Sequence, residues 1–388
     1  MTTLAERLAP NTYEACAVAL GSANAQKKSI RVRGGGTKDY LGDLVATDLV
    51  LETSGLRGIV AHVPADLTVT VAAGTALAEV QRALGEHGQV LPLDPPHAAA
   101  ATVGGVIAAN SSGFLRARYG GVRDLLIGTT TALADGTLAH AGGRVVKNVA
   151  GYDLNKLLVG SLGTLGVIVE CTFRVLPLPS ARAGIRAQFK RAADAFAAAD
   201  DIARTPARPA ALVVDGTSGG AWQLLVLAEG AASAVERTIH IVAQAAVAHG
   251  TGERDQDILL SLAPLRDLPD SADGVLVRAS LPPAAQRAFA EAALRLEGFA
   301  QLVADAASGI ARVHVRGDDD DMIAAADALL AAARVCGGSG RVEKRSDRVQ
   351  ARVGSWGDGD LPGLFLMRRL KEAFDPGGIL EPGRGPVR

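Results

Sequence analysis

Glycine clusters in the first 170 residues restrict the fold of this chain more than any other feature of its sequence. The chain has 388 residues, of which 45 are glycine, and many of these stand in blocks at 34–36, 92–121 and 142–166. Glycine loses more backbone entropy on folding than any other residue, so adjacent glycines indicate a backbone that turns tightly or lies against another group. Each block is therefore a candidate binding segment.

The first block, RGGGTK at 33–38, follows a predicted strand at 29–33. Successive glycines expose neighbouring backbone N–H groups and tolerate positive φ, which together make a nest that suits phosphate. The alternative is a flexible hairpin turn, although a turn needs only one or two glycines. The block is neither a Walker loop nor the dinucleotide-binding fingerprint, because Asp39 stands where the third glycine of that fingerprint belongs.

The second block contains the longest stretch without charged residues, from 95 to 115. Its length predicts a buried loop, and a buried loop needs partners for its polar groups, which a bound cofactor would provide. The third block ends in GSLGTLG at 160–166 and leads into a predicted strand at 167–176. Alone, that glycine spacing is a weak signal.

The periodicity of the chain predicts an α+β protein. Candidate strands at 45–51, 58–63 and 67–72 precede a helix at 76–87, and the 67–72 segment alternates as a half-buried strand would. Prolines at 177 and 179 indicate a boundary. Beyond it, helices are predicted at 192–202, 231–249, 283–296 and 322–334, and strands at 211–214, 223–227, 274–280 and 310–315. This pattern is typical of a small antiparallel sheet with helices on one face.

The expected domains are 1–178, 179–335 and a turn-rich closing segment at 336–388. A formal net charge of −1 gives no general attraction to nucleic acid or to an acidic membrane surface. No segment predicts a membrane-spanning helix or a secretory signal. Three widely spaced cysteines exclude a C-x-x-C metal site and favour reduced thiols in a cytoplasmic protein.

Taken together, the glycine blocks resemble the FAD-binding domain of the vanillyl-alcohol oxidase / p-cresol methylhydroxylase (PCMH) superfamily. The segments that carry the resemblance are RVRGGGTKDYLG, VPADLTVTVAAGTALAEVQRAL, PLDPPHAAAATVGGVIAANSSG, KNVAGYDLNKLLVGSLGTLGVI and the tail FDPGGILEPGR. Within it, the chain is most similar to the FAD-binding E subunits of bacterial glycolate oxidases. The resemblance implies a PCMH-type domain of two α+β subdomains, an α+β ferredoxin-like cap domain and a closing segment that returns to the FAD domain.

The resemblance also implies roles by position. The FAD pyrophosphate would be held by Arg33, Gly34, Gly35, Gly36 and Thr37. Pro95, Thr102, Val103, Gly104, Gly105, Ser111, Ser112 and Gly113 would line the flavin and its ribityl chain. Gly160, Gly163, Thr164, Gly166 and Val167 would pack against adenosine or flavin. The catalytic candidates, nearer the isoalloxazine, are Lys147, Tyr152 and Arg384. FAD is expected to be non-covalent, because Thr37 and Lys38 stand where some members carry a flavin-linked His.

The function implied by the resemblance is oxidation of glycolate, a small 2-hydroxy acid, to glyoxylate. Electrons would pass through the flavin to a catalytic flavoprotein subunit and an iron–sulfur subunit of one complex, in the cytoplasm and peripheral to the inner membrane. Two alternatives are a stand-alone FAD-dependent dehydrogenase of the D-lactate type and a non-catalytic subunit with a degenerate flavin site.

Two departures from the family pattern qualify this function. Catalytic relatives carry a His-rich H-G-D-G-N-x-H metal motif, whereas the seven histidines of this chain include no pair at metal-ligand spacing, and no metal site is expected. His314 is the nearest remnant, or a polar residue at a strand end. Glu381 stands where Asn is common in the family tail. The isolated chain is therefore expected to oxidise glycolate poorly.

Two further patterns favour structural interpretations. The acidic run 318–321 precedes an Ala-rich helix and predicts an N-cap and first-turn charges rather than a calcium loop. The G-x-S-x-G match at 216–220 is followed by a predicted strand, so it predicts a hairpin and not a hydrolase nucleophile elbow.

Overall fold

A computed structural model describes residues 5–43, 45–143, 153–268, 273–357 and 361–387. The chain divides into two compact units. The first contains Met1–Ser112, Gly120–Leu178 and Asp360–Arg388, and the second contains Gly113–Tyr119 and Pro179–Gly359. Residues 336–357, expected in the closing segment, therefore lie in the second unit.

The helices of the described residues are α1 (Tyr13–Ala25), α2 (Leu77–Gly85), α3 (Val103–Ala108), α4 (Arg116–Tyr119), α5 (Val122–Leu125), α6 (Asn155–Leu158), α7 (Ala192–Arg204), α8 (Ala232–Val247), α9 (Ile258–Arg266), α10 (Gln286–Ala293), α11 (Asp319–Val335), α12 (Asp347–Arg352) and α13 (Leu364–Phe374). Short 3₁₀ turns lie at Thr53–Gly55, Pro64–Asp66 and Pro283–Ala285. No helix in these ranges is both long enough and apolar enough to span a bilayer.

The strands of the described residues are β1 (Glu6–Leu8), β2 (Ile30–Arg33), β3 (Leu49–Glu52), β4 (Ile59–Val63), β5 (Thr68–Ala72), β6 (Gln89–Val90), β7 (Leu126–Ala132), β8 (Leu138–Gly142), β9 (Val167–Arg174), β10 (Leu176–Pro177), β11 (Ala181–Phe189), β12 (Ala211–Thr217), β13 (Trp222–Gly230), β14 (Thr251–Asp255), β15 (Val275–Ser280), β16 (Phe299–Asp305), β17 (Ile310–Val315) and β18 (Ser339–Lys344). The predicted α+β class is confirmed.

The first unit contains a parallel sheet in the order β1-β3-β2, an antiparallel sheet in the order β4-β5-β9-β7-β8 and the antiparallel pair β10-β6. Helix α1 begins after Thr12, whose hydroxyl accepts the Ala15 N–H at 3.0 Å. Its buried Cys16 and Leu20 belong to a core that includes residues of β3 and β9. This core packs the helix and strands of both sheets together.

The helix predicted at 76–87 is confirmed as α2, which buries Leu77, Val80 and Leu84 completely or nearly so. The half-buried prediction for 67–72 is wrong, since all five residues of β5 are buried. Strand β5 lies between β4 and β9, and the Thr70 and Thr172 hydroxyls satisfy each other at 2.9 Å. A central strand can bury both of its faces, with threonines on one of them, when the threonine hydroxyls are paired in this way.

The second unit is built on an antiparallel sheet in the order β14-β11-β13-β12-β16-β17-β15-β18. Alternate residues of its strands enter different cores: Leu212 and Val214 face α7, α8, α10 and α11, whereas Ala211 and Val213 pack with α9. The prediction of a small sheet with helices on one face is wrong, because the sheet has eight described strands and α9 covers its second face. Its size was underestimated partly because β14 and β18, the polar edge strands, lack apolar alternation.

The structural interpretations of two motifs in the second unit are confirmed. Residues 216–220 join β12 to β13 in an antiparallel hairpin, with Gly216 opposite Trp222. Asp318 caps α11, because its side chain accepts the Asp321 N–H at 2.9 Å. His314 lies one residue before the end of β17 and is hydrogen-bonded to the Asp273 carbonyl at 2.5 Å.

Candidate functional site

An open groove in the first unit is lined by residues from the glycine loop, α3, the 162–168 segment and the closing segment. It has about 670 Å³ of empty space, part of which is continuous with solvent. The predicted site residues that line it are Gly34, Gly35, Gly36, Thr37, Thr102, Gly104, Gly105, Gly163, Gly166, Val167 and Arg384. Segments that are far apart in sequence thus form one surface.

The glycine loop begins where β2 ends at Arg33. Within the described residues, no protein group accepts a hydrogen bond from the backbone N–H of Gly34, Gly35, Gly36 or Thr37. Gly36 has a φ of +73°, a conformation that glycine adopts without strain. These N–H groups are suited to an anionic ligand, because consecutive amide donors form a concave nest.

The loop lies against the segment that precedes α3. A Cβ added to Gly35 would overlap the carbonyl oxygen of Ala100, and one added to Gly34 would overlap the Thr102 hydroxyl. Overlap with a backbone carbonyl cannot be relieved by a change of rotamer. The two glycines are therefore required by the close approach of two segments at the edge of the groove.

Thr102 precedes α3 at the N-cap position, but its side chain makes no capping hydrogen bond. Its Oγ1 is buried and has no hydrogen-bond partner among the described residues. The start of α3 is held instead by its backbone: the Val103 and Gly104 N–H groups donate to Thr75 and Ala73 at 2.9 and 2.8 Å. Buried hydroxyls usually have a hydrogen-bond partner, so Thr102 Oγ1 is a candidate for contact with a bound molecule.

The segment before β9 is tied to the far end of α3. The Gly160 and Leu162 N–H groups donate to the Ile107 and Ala108 carbonyls at 3.0 and 2.8 Å. Leu162 has a φ of +54°, which is strained for a branched side chain. The constraint places Leu162 and the residues after it in the groove wall.

The closing segment completes the groove by adding to β2. The Ile30 N–H donates to the Ile379 carbonyl at 2.7 Å, and the Glu381 N–H donates to the Ile30 carbonyl at 2.8 Å. Arg384 Nη1 donates to the Lys38 and Leu41 carbonyls, both at 2.9 Å. The tail thereby fixes the backbone that follows the glycine loop.

Arg384 and Glu381 form a buried ionic cluster at this end of the groove. Arg384 is 5% exposed, and its Nε lies 3.3 Å from Glu381 Oε2. Burial raises the pKa of Glu381, although Arg384, the Val32 N–H and Arg31 oppose the shift. Arg384, a predicted catalytic candidate, lines the groove, and its guanidinium also holds the backbone that follows the glycine loop.

Several predicted residues do not line the groove. Val103 is fully buried in the core beneath it, and Arg33 pairs with Asp39 at 2.9 Å. The others are Pro95, Ser111, Ser112, Gly160 and Thr164, together with Gly113, which lies in the second unit. Lys147 and Tyr152 fall outside the described residues.

Other groove residues were not assigned a binding role from the sequence. They are Val32, Lys38, Asp39, Thr53, Ala108, Ala109, Leu162, Ile168 and Glu381. Lys38, Asp39 and Glu381 stand next to recognised motifs, so adjacency is a signal that could have found them. Leu162 and the alanines contribute backbone or apolar surface, for which residue type gives no signal.

The residues present fit the phosphate-bearing dinucleotide that the sequence predicts. Unpaired amides at 34–37 match a pyrophosphate, and the small residues let a ligand lie against backbone. Among the described residues, no group of three or more His, Cys, Asp or Glu side chains is placed to hold a metal ion.

Comparison with known proteins agrees with this geometry. A family model described as "FAD binding domain" matches residues 6–142. Glycolate oxidase subunit GlcE of Escherichia coli (strain K12) is 31% identical over 366 residues, covering 94% of this chain and 95% of that protein. D-lactate dehydrogenase of Archaeoglobus fulgidus is 30% identical over 410 residues, covering 97% of this chain and 90% of that protein.

Among solved structures, alkyldihydroxyacetonephosphate synthase matches with a TM-score of 0.72 over 96% of this chain and 76% of that one. Because its sequence identity to this chain is 17%, this match is evidence for the fold alone. The fold expected from the sequence is confirmed by the match.

Proposed function

Because this chain belongs to the PCMH-type FAD-binding oxidoreductases, we propose that it is the FAD-binding subunit of a complex that oxidises glycolate to glyoxylate. The observation that carries the proposal is the extent of the similarity: the match covers 95% of the glycolate oxidase subunit and 94% of this chain. FAD is the cofactor of the family, and we propose the groove as its binding site.

In this proposal the glycine loop binds the pyrophosphate through the Gly34–Thr37 amides, and Thr102 Oγ1 hydrogen-bonds to the same molecule. Gly104, Gly163 and Gly166 let backbone approach the ligand, while Arg384 keeps the loop in shape. When bound, FAD supplies the two-electron oxidation and reduction chemistry, and the protein supplies binding and orientation. The flavin is held without a covalent bond.

The partners we infer are a catalytic flavoprotein subunit and an iron–sulfur subunit of the same complex. The name of the relative supports assembly, since the relative is a subunit of an oxidase. We place the complex in the cytoplasm, at the periphery of the inner membrane. Cys16, Cys171 and Cys336 are free thiols, as expected in a reducing compartment.

A second function is favoured by the D-lactate dehydrogenase relative, which also spans nearly the whole chain. In that case the chain would oxidise a 2-hydroxy acid by itself. Such an oxidation needs a base for the hydroxyl proton and a cation for the carboxylate. The sequence contains arginines that could bind the carboxylate. It contains no His pair of the metal-binding type to take the hydroxyl proton.

Anaerobic mixing of the FAD-loaded chain with excess glycolate or D-lactate separates the two functions. We expect the flavin absorbance to stay unchanged with the isolated chain and to bleach once the partner subunits are added. Bleaching of the isolated chain within seconds would make it a complete dehydrogenase. Acid precipitation tests the mode of attachment: all yellow colour should enter the supernatant, and colour in the washed pellet would indicate a covalent bond.

A further inference from the structure

Glu381 occupies an unusual position in the groove wall. It is 3% exposed, and its backbone has a φ of +48°, which non-glycine residues seldom adopt. Its Oε1 accepts the Val32 N–H of β2 at 2.7 Å. A Cβ added to Gly163 would lie 3.2 Å from Glu381 Cγ, so the carboxylate stands beside the 162–168 wall.

The second carboxylate oxygen has charged neighbours but accepts no hydrogen bond from the described residues. Glu381 Oε2 is buried and has no hydrogen-bond partner among the described residues. Arg384 Nε and Arg31 Nε lie 3.3 and 3.8 Å away, within ion-pair range but without hydrogen-bond geometry. A buried carboxylate oxygen without a donor is costly, so its persistence at a groove indicates a donor that arrives with the ligand.

The chemistry of the two ends of the groove differs. The glycine loop presents amide donors, which suit the acceptor oxygens of a pyrophosphate. Glu381 presents an acceptor, which an ionised phosphate can neither donate to nor approach without repulsion. Hydroxyl and N–H groups of the nucleotide are the parts of FAD that can donate to it.

We propose that Glu381 Oε2 accepts a hydrogen bond from a hydroxyl or N–H donor of FAD, and that Glu381 thereby sets the direction in which the dinucleotide lies. The inference rests on the proposed function, in which FAD binds in this groove. Glu381 acts as a binding and positioning residue, and its role is independent of which 2-hydroxy acid the complex oxidises.

The proposal makes FAD affinity depend on pH in a defined direction. The charged groups that face Glu381 are Arg31 on β2, Arg384 on the closing segment and Asp39 after the glycine loop. Burial raises the pKa of Glu381 in the ligand-free protein. A ligand donor favours the ionised carboxylate and lowers that pKa, so FAD binding releases a proton. Affinity is therefore high above the ligand-free pKa and falls as pH drops through it.

The test compares FAD and inorganic pyrophosphate binding to three flavin-free proteins: wild type, Glu381→Gln and the control Asp66→Asn. Asp66 is exposed on a 3₁₀ turn outside the groove. A hydrogen bond to a charged group predicts that Glu381→Gln weakens FAD binding about 10-fold. Pyrophosphate binding should stay the same or tighten, because a negative charge has been removed. The control should bind both like wild type.

Two results would overturn the proposal. Equal weakening of FAD and pyrophosphate would mean that Glu381 only supports the loop, and unchanged FAD affinity would mean that it contacts no ligand donor.

If Glu381→Gln does not fold, as shown by loss of its cooperative melting transition, the pH dependence of FAD binding to the wild-type protein tests the proposal instead. Its FAD Kd should rise as the pH falls from about 8 to about 4.5, and a flat profile would contradict the role. Failure of wild type to bind FAD at any pH would overturn both the proposed FAD-binding site and the role of Glu381. Loss of glycolate oxidation alone would leave both of these proposals intact.

Discussion

The glycine loop and the closing segment border the same groove but are built in opposite ways. The loop is five residues of contiguous sequence, 33–37, and it offers backbone amides. The closing segment offers buried charged side chains, and Arg384 reaches the Lys38 carbonyl across 346 positions of the chain. One region has amide donors without a protein partner, while the other ties down the backbone that directly follows those amides.

This difference separates affinity from stability. A change in the loop should affect ligand binding more than folding, since its N–H groups have no partner within the described protein. A change in the buried cluster should affect folding first, because Arg384 and Glu381 compensate each other's charge away from water. Substitutions in the two regions can break or sharpen this contrast.

The largest effect is expected from Arg384→Met. The substitution leaves Glu381 with a buried charge and leaves the Lys38 and Leu41 carbonyls without their donor. Breaking a buried ion pair from one side costs about 3–5 kcal/mol. Denaturant unfolding of the flavin-free protein should show this loss, together with reduced FAD content. Arg369→Met, on the exposed face of α13, is the matched control. Equal stability of the two variants would contradict the role of the cluster.

An intermediate effect, confined to the ligand, is expected from Gly35→Val. The new side chain overlaps the Ala100 carbonyl and pushes the loop from its position. Overpacking of this kind costs about 1–3 kcal/mol, which lowers FAD affinity about 5- to 150-fold if the loop rather than the core absorbs it. Flavin content after purification measures the loss. Gly85→Val should keep its flavin, because no atom outside the adjacent residues and the local helix backbone lies within 4 Å of the new Cβ. A Gly35→Val protein that retains stoichiometric FAD would show that the loop is not the pyrophosphate site.

The smallest effect is expected from Thr102→Val, which keeps the side-chain shape but removes the unpartnered Oγ1. The flavin-free protein should be as stable as wild type or slightly more so, because a buried hydroxyl without a partner has been removed. FAD affinity should fall about 2- to 10-fold through the loss of one hydrogen bond. Thr102→Ser retains the hydroxyl and should bind FAD like wild type. Equal affinity in the Val and Ser variants would show that the hydroxyl does not contact the cofactor.

The same contrast explains what could be predicted from the sequence. Adjacent glycines have few structural explanations, so Gly34, Gly35 and Gly36 indicated a nest from their residue type alone. Helix α2 was equally clear, because its apolar residues recur at helical spacing on one face. In both cases the pattern that determines the structure is local.

The buried cluster could not be predicted in this way. Glu381 and Arg384 acquire their roles from neighbours on β2 and in the 38–41 turn, and nothing within the EPGR sequence specifies those partners. The edge strands β14 and β18 were missed for a related reason, since their sheet neighbours and not their own residues make them strands. Long-range pairing is the part of this fold that the sequence does not display.

The central claim is that this groove binds FAD with its pyrophosphate on the glycine-loop amides. Equilibrium titration of the flavin-free wild-type chain with FAD, repeated in the presence of inorganic pyrophosphate, tests it most directly. The account predicts saturable binding of one FAD per chain, with pyrophosphate competing for the site. Absence of saturable binding, or binding that pyrophosphate leaves unchanged, would contradict it.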